Sequence, residues 1–203
     1  MTTSITRTRL FSRSAKCGAA FLVGGAALGQ FIDTAGAVSA SLPSSDLAYA
    51  RLLVGAELLA TDFYSQAIAA SNTSASVTRY LKRAYFNEQE HYQSVAGILS
   101  GAGVTPALSG DITFGYPTGT FASQASIVKF AEQLENTILG AYLGAVGGIQ
   151  TTSLLTGLAE IAACEAQHSA YFTQAMGGRT FDLSFPPALS AAQATTAMAA
   201  YTT

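Results

Sequence analysis

Apolar residues recur at intervals of three and four along four long stretches of this 203-residue chain. This is the period of an amphipathic α-helix. The pattern predicts helices over about 45–70, 75–100, 124–147 and 152–176. Glycines follow the second and fourth stretches, as is typical where helices end. A shorter alanine-rich helix is predicted over about 191–200, so the chain is predicted to be all-α.

The connections between the four long helices differ in length. Residues 71–74 and 148–151 are short enough to join antiparallel neighbours, whereas residues 103–123 form a long segment rich in glycine and proline. The sequence therefore predicts a four-helix bundle of two antiparallel pairs joined by a long crossover. The bundle is predicted to span 45–177, and a C-terminal loop with the short helix follows over 178–203.

Each of the four apolar faces is interrupted by a glutamate where a core residue is expected, and two faces also carry a histidine. These positions are Glu57, Glu88, His91, Glu135, Glu165 and His168. A buried ionised carboxylate is too costly to leave unpaired, and its usual remedies are a partner charge or a metal ion. The chain offers no lysine or arginine at matching positions. The pattern therefore favours a metal site.

The two histidines of the chain stand in the same tetrapeptide context. Glu88 precedes His91 by three residues, and Glu165 precedes His168 by three. Residues three apart on a helix lie on one face about one turn apart, so both can ligate the same metal centre. The whole histidine content of the chain is used in these two copies. This indicates a paired-metal site inside a helical bundle.

The spacing of the glutamates supports two copies of one half-site. Glu57 and Glu88 are 31 residues apart around the predicted turn at 71–74, and Glu135 and Glu165 are 30 apart around Gly147 and Gly148. In an antiparallel helix pair, residues equidistant from the turn lie at the same height. Each pair therefore brings its two glutamates level.

The charge and the donor atoms suggest which metals fit. Four glutamates carry the charge that two divalent ions neutralise, and six ligand residues leave positions open for water, dioxygen or peroxide. Carboxylate combined with imidazole suits iron or manganese, and the absence of thiolate ligands argues against a zinc finger or an iron–sulfur site. We expect two iron or manganese ions per chain, and the sequence does not choose between the metals.

The ligand on the third helix has an alternative. Glu132 lies three residues before Glu135 and is adjacent to it on the helix surface. Glu135 is favoured because it lies within the apolar stripe. Glu132 is then expected beside the site, where it would support a ligand or line the access path.

Three further side chains lie close to the candidate ligands in sequence. Tyr64 lies seven residues after Glu57, and Tyr142 lies seven after Glu135. The tyrosines are interpreted first as core residues, with hydrogen bonding to ligand carboxylates or electron relay as the alternative. Cys164 is predicted to be inert core, because its side chain points about 100° away from the glutamate that follows it.

These residues resemble the ferritin-like di-metal carboxylate pattern, in which one Glu and then Glu-x-x-His occur on each of two helix pairs. The resemblance covers roughly residues 45–177. Within that superfamily the chain is most similar to exported ferritin-like domain proteins akin to plant desiccation-related proteins. The resemblance implies that Glu88 and Glu165 bridge two metals, that His91 and His168 each ligate one, and that the other two glutamates are terminal or bridging ligands.

Features that distinguish known subfamilies are absent from the sequence. Haem of the bacterioferritin type needs a methionine on the second helix, but the methionines here are Met1, Met176 and Met198. The four-cysteine module of rubrerythrins cannot be built from Cys17 and Cys164. Ordinary ferritins lack a histidine on the fourth helix, so plain iron storage is less favoured. No haem is expected, and electrons must come from another molecule.

The amino-acid composition indicates which kinds of molecule the chain is suited to bind. Apolar residues make up 49% of the chain and charged residues only 11%, and four of the ten Lys and Arg residues precede residue 17. The remainder is acidic, which disfavours a nucleic-acid partner. A weakly charged surface is common in exported proteins and is equally compatible with contacts in a homo-oligomer.

Residues 1–40 have the features of an export signal. A basic segment precedes an apolar, glycine-rich run, and small residues at 35–37 and 38–40 offer cleavage sites. The run is short for a membrane span, which needs about 20 residues. We expect an exported protein that starts near 38–41, located in the periplasm, the cell envelope or outside the cell. The alternative is an uncleaved anchor, which would be the only contact with a membrane. The signal is compatible with either the Sec or the twin-arginine type.

Two classes of function remain open on the sequence. The first is a di-metal oxidoreductase of the peroxidase, catalase or ferroxidase type, acting on peroxide, dioxygen or ferrous iron. The second is a non-catalytic stress-related, desiccation-related or structural protein that uses its metals for stability. No catalytic residue is assigned beyond the metal ligands.

Overall fold

The computed structural model describes residues 41–180 and 183–202. The predicted export signal at 1–40 lies outside these ranges. None of the helices within them is both long enough and apolar enough to cross a membrane.

Five α-helices make up most of the described chain. They are α1 (Ser44–Ala70), α2 (Ala75–Gly101), α3 (Gln124–Gly148), α4 (Leu155–Ala175) and α5 (Ala191–Ala199), with a 3₁₀ turn at Thr152–Leu154 before α4. The prediction of an all-α helical bundle is confirmed. Outside the helices, the described residues form only two isolated β-bridges.

Serine side chains define where several helices begin. The Ser74 hydroxyl accepts a hydrogen bond from the backbone N–H of Val77 at the start of α2. Ser123 and Ser126 form a reciprocal capping box at the start of α3. Such caps satisfy backbone donors that the first turn of a helix leaves free. The starts of α2 and α3 are therefore encoded locally.

The helices pack as two pairs. Helix α1 packs mainly on α2 and α3 mainly on α4, and contacts between α1 and α3 join the pairs. A buried carboxylate fixes their alignment, because Asp46 in the first turn of α1 accepts hydrogen bonds of 2.9 Å from the backbone N–H groups of Gln150 and Thr151 in the α3–α4 connection. These hydrogen bonds fix the position of the α1–α2 pair along the bundle axis relative to the α3–α4 pair.

The C-terminal segment packs against α3. The backbone N–H of Leu189 donates to the carbonyl of Gly140 at 2.8 Å, and a Cβ atom placed on Gly144 would lie 1.7 Å from the carbonyl oxygen of Leu189. Glycine is therefore required at 144 for the segment to lie this close. Helix α5 then packs on α3 and α1. Among the described residues, the C-terminal segment thus covers the α1–α3 side of the bundle.

Candidate metal centre

All six predicted ligand residues meet in the interior of the bundle. Helix α1 supplies Glu57, α2 supplies Glu88 and His91, α3 supplies Glu135, and α4 supplies Glu165 and His168. The four glutamates are completely buried, and the two histidines are also buried. The six residues that the helical period places on the apolar faces are therefore buried in the structure.

The six side chains form two overlapping groups, each able to hold a metal ion. One group is Glu57, Glu88, His91 and Glu165, and the other is Glu88, Glu135, Glu165 and His168. Within each group the ligand atoms lie within 4.8 Å of one another. Glu88 and Glu165 belong to both groups. The geometry therefore provides two positions that share two carboxylates.

Both imidazoles turn the same nitrogen towards the carboxylates. Nδ1 of His91 lies 2.8 Å from Glu165 Oε1 and 3.1 Å from Glu88 Oε2. Nδ1 of His168 lies 2.9 Å from Glu88 Oε1 and 3.4 Å from Glu165 Oε2. Each histidine therefore approaches the glutamate of its own helix and that of the other pair. The two Nδ1 atoms are the ones available to ligate metal.

Two tyrosines hold the remaining glutamates from across the bundle. Tyr64 on α1 donates a hydrogen bond to Glu135 on α3, and Tyr142 on α3 donates to Glu57 on α1. Both tyrosines are fully buried, so they are core residues and carboxylate partners at once. The seven-residue spacing places each hydroxyl two turns from the glutamate of its own helix, level with the opposite glutamate. The tyrosine contacts of the two halves of the site are therefore reciprocal.

We expect Tyr142→Phe to lower the free energy of unfolding of the metal-free protein by about 1–3 kcal/mol, because a buried carboxyl oxygen loses its donor. Denaturant unfolding in chelator measures the change. Tyr49→Phe is the matched control, since the Tyr49 hydroxyl makes no hydrogen bond with a described residue. Equal stability of the two variants would show that the Tyr142 hydrogen bond contributes nothing.

Burial and mutual repulsion set the protonation of the metal-free site. Desolvation, reinforced by the charge of Glu88, raises the pKa of Glu57 well above its ordinary value. Desolvation with the charges of Glu165 and Glu88 does the same to the pKa of Glu135. Desolvation also acts on Glu165, but the two imidazoles beside it outweigh this and lower its pKa. Without metal, burial and the neighbouring charges therefore favour the protonated forms of Glu57 and Glu135.

The imidazoles are shifted in the direction that favours their charged form. Desolvation alone would lower the pKa of both histidines, but contacts with Cys164 and the surrounding carboxylates raise the pKa of His91 and of His168 well above the usual value. Without metal, these contacts therefore favour the protonated form of both imidazoles.

Several buried oxygen and nitrogen atoms that could ligate a metal ion have no hydrogen-bond partner among the described residues. They are Oε2 of Glu57, Oε1 of Glu88, Oε2 of Glu135, both carboxylate oxygens of Glu165, and Nδ1 of His168. Buried polar atoms are rarely left unsatisfied in native proteins. Here the unpartnered atoms lie together in one cluster of carboxylates and imidazoles. Such a combination of ligands suits iron or manganese. The cluster is therefore compatible with metal binding.

Comparison with known families agrees with this geometry. The family profile described as "Ferritin-like domain" matches residues 45–178. The chain belongs to the ferritin-like domain family. No curated protein matches its sequence. Membership of the family together with the buried carboxylate and histidine groups supports the coarse conclusion that this ferritin-like chain is suited to bind metal.

The two glutamates considered for the third helix of the ferritin-like bundle occupy different environments. Glu135 is completely buried and belongs to one of the two ligand groups. Glu132 is half-exposed, and its carboxylate accepts a hydrogen bond of 2.6 Å from Asn136. Asn136 in turn accepts from Ser169 on α4. The geometry thus favours Glu135, and Glu132 lies at the α3–α4 surface.

The prediction that Cys164 is an inert core residue is wrong, because its thiol is only partly buried and lies beside a histidine of the centre. Its Sγ lies 3.7 Å from Nε2 of His168. Desolvation raises the pKa of the thiol, but contacts with His168 and His91 outweigh it and lower the pKa below the ordinary value. The relevant spacing was the four residues from Cys164 to His168, which puts both on one side of α4. Sequence reasoning also missed Asn87, whose side-chain nitrogen lies 3.0 Å from Nε2 of His168.

Proposed function

We propose that this ferritin-like chain binds two iron or manganese ions in its buried cluster and carries out oxidoreductase chemistry on peroxide, dioxygen or ferrous iron. The observation that supports the proposal is the convergence of six buried residues that can ligate metal, five of which carry buried oxygen or nitrogen atoms without a hydrogen-bond partner among the described residues. Four carboxylates balance the charge of two divalent ions, so the filled site carries no net buried charge.

Each side chain has a distinct part in this proposal. Glu88 and Glu165 would bridge, because both belong to both ligand groups. Glu57 and Glu135 would each serve one position, and the tyrosine hydroxyls from the opposite helices hold them in place. When bound, two redox-active ions would supply electrons for the reduction of peroxide or dioxygen. The protein contributes orientation of the donors and exclusion of bulk water.

Access is proposed from the α2–α4 side. The C-terminal segment covers the α1–α3 side, and His91 on α2 is the most exposed of the six residues, at 8% of its surface. The burial of all six residues favours small substrates such as peroxide, dioxygen or a single ferrous ion. Export of the mature chain, expected from residues 1–40, would place this chemistry outside the cytoplasm.

Metal affinity should increase as the pH rises through the neutral range, and binding should release protons. The raised pKa values of Glu57, Glu135, His91 and His168 mean that these groups hold protons in the metal-free state. Ligation requires all of them to be deprotonated. Calorimetric titration in buffers with different ionisation enthalpies measures the protons released. Affinity that does not change with pH would contradict this protonation of the site.

The same shifts determine how the metal-free fold responds to pH. A group whose folded pKa is raised contributes stability below its unfolded pKa, and this is lost as the pH rises through the folded pKa. Both histidines, Glu57 and Glu135 act in this direction. Glu165, whose pKa is lowered, acts oppositely and only in the acid range. The metal-free bundle should therefore lose stability as the pH rises from the acid range through neutrality.

The reaction is tested by adding stoichiometric peroxide or dioxygen to anaerobically reduced, iron-loaded protein. We expect a rapid rise in near-ultraviolet absorbance as the ferrous ions are oxidised. Glu132→Gln should change the rate of that rise more than its size, because Glu132 lies at the surface and outside both ligand groups.

A metal-loaded protein that is inert to both oxidants would favour the second candidate function. The observation behind that alternative is the same buried charge, since a metal that neutralises it stabilises the fold whether or not it reacts. The chain would then be a stress-related or structural ferritin-like protein. Metal content would be unchanged in that case, and only the absorbance change would be missing.

A further inference from the structure

The outer nitrogen of one histidine meets a specific pair of side chains. Because Nδ1 of each ring faces the carboxylates, Nε2 faces away from them. Nε2 of His168 lies 3.0 Å from the side-chain nitrogen of Asn87 and 3.7 Å from Sγ of Cys164. The amide nitrogen of Asn87 also lies 3.5 Å from that sulfur. Asn87 and Cys164 thus form a small polar contact between α2 and α4 on the outer side of the rings.

Asn87 and Cys164 occupy equivalent positions in the two halves of the site. Asn87 immediately precedes Glu88, and Cys164 immediately precedes Glu165. The six ligand residues and the two tyrosines repeat from one half to the other. At this position the halves differ, with an amide on α2 and a thiol on α4. The centre is therefore asymmetric just outside its ligands.

The difference matters because Nε2 needs a hydrogen-bond acceptor. A histidine that ligates metal through Nδ1 carries its hydrogen on Nε2, and so does a fully protonated ring. Rotation of the Asn87 amide by 180° exchanges its oxygen and nitrogen without changing its shape, so Oδ1 can face His168 and accept that hydrogen. Sulfur is a weak acceptor by comparison.

His91 lacks an equivalent amide partner. Its ring contacts the thiol of Cys164, and no amide of the described residues hydrogen-bonds to it. Its side chain is also the more exposed of the two, at 11% against 3% for His168. The His168 ring is therefore held by contacts at both of its nitrogens, and the His91 ring is held mainly at Nδ1.

We propose that Asn87 is a positioning residue that makes the two metal positions unequal. The ion ligated by His168 binds more tightly, and the ion ligated by His91 is the one that exchanges first. This inference rests on the proposed di-metal function and adds to it an order of filling and release. An ion arriving from or leaving to the surroundings would do so at the His91 position.

The test is a titration of the metal-free full chain with Co²⁺ under anaerobic conditions, followed by its visible absorption bands and by competition with a chelator. We expect two binding steps whose dissociation constants differ by about 10–100-fold, the usual effect of an outer hydrogen-bond partner. Proton NMR of the half-loaded protein should show one strongly shifted, slowly exchanging N–H from His168. Absence of any Co²⁺ binding would refute the proposed function itself, whereas two equal steps would refute only the inequality.

Variants separate positioning from general stability. Asn87→Leu removes the acceptor and should weaken the tighter step by about 10–100-fold, so that the two steps merge, and Asn87→Asp should restore the separation. Cys164→Asn supplies an amide for His91 and should strengthen the weaker step. Gln89→Leu on the same helix is the control, because that amide bonds Tyr85 outside the centre. The inference is overturned if Asn87→Leu titrates like Gln89→Leu, or if Cys164→Asn leaves the weaker step unchanged.

Discussion

Replacing Glu165 by glutamine should remove most of the metal from both positions of the centre. Glu165 belongs to both ligand groups, and Nδ1 of His91 and of His168 lie 2.8 and 3.4 Å from its oxygens. A neutral amide cannot bridge two cations as a carboxylate does, so both positions lose a charged ligand. We expect wild-type protein to hold about two ions per chain after reconstitution and Glu165→Gln to hold close to none. Elemental analysis after desalting measures this.

Matched variants show whether the loss is specific. Glu160→Gln changes an exposed glutamate on the same helix and should retain the full complement. His91→Ala and His168→Ala should each lose about one ion, because each histidine serves one group. If Glu165→Gln kept as much metal as Glu160→Gln, Glu165 would not be a shared ligand.

Removing the metal should lower the melting temperature by about 10–20 °C. At a free metal concentration 100 times the dissociation constant, each ion stabilises the folded state by about 2.7 kcal/mol. Two ions then contribute about 5 kcal/mol, and each kcal/mol shifts the melting temperature of a domain of this size by about 2–4 °C. The physical origin is the set of four buried carboxylates, whose charge two divalent metal ions balance inside the bundle.

Circular dichroism melting curves with excess metal and with chelator measure that shift. Glu165→Gln should melt at nearly the same temperature under both conditions, because it binds little metal. A wild-type melting temperature that is indifferent to metal would contradict a shared buried site, whatever the metal content of the purified protein.

The helices and the composition of the cluster could be predicted because both depend on local spacing. The apolar period fixes which face of each helix is buried, and Glu57, Glu88 and Glu135 interrupt that period. Burial likewise separates Glu135 from Glu132, since only the former lies within the apolar stripe. The fold brings the six predicted residues together, and their binding of metal stays a prediction.

Features that depend on contacts between distant segments could not be predicted in this way. The sequence offers the tyrosine hydrogen bonds only as an alternative, because Tyr64 and Tyr142 also fit as ordinary core residues. The contact of Asn87 with His168 joins two helices 81 residues apart in sequence. The close approach of Leu189 to Gly144 likewise depends on how the C-terminal segment folds back. Helical period contains no information about such partners.

Anomalous diffraction at the metal absorption edge, from crystals of the reconstituted full chain, tests the central claim most directly. The account predicts two anomalous peaks inside the bundle, one among Glu57, Glu88, His91 and Glu165 and the other among Glu88, Glu135, Glu165 and His168. Crystals of fully reconstituted protein that show no peak within this buried cluster would contradict it.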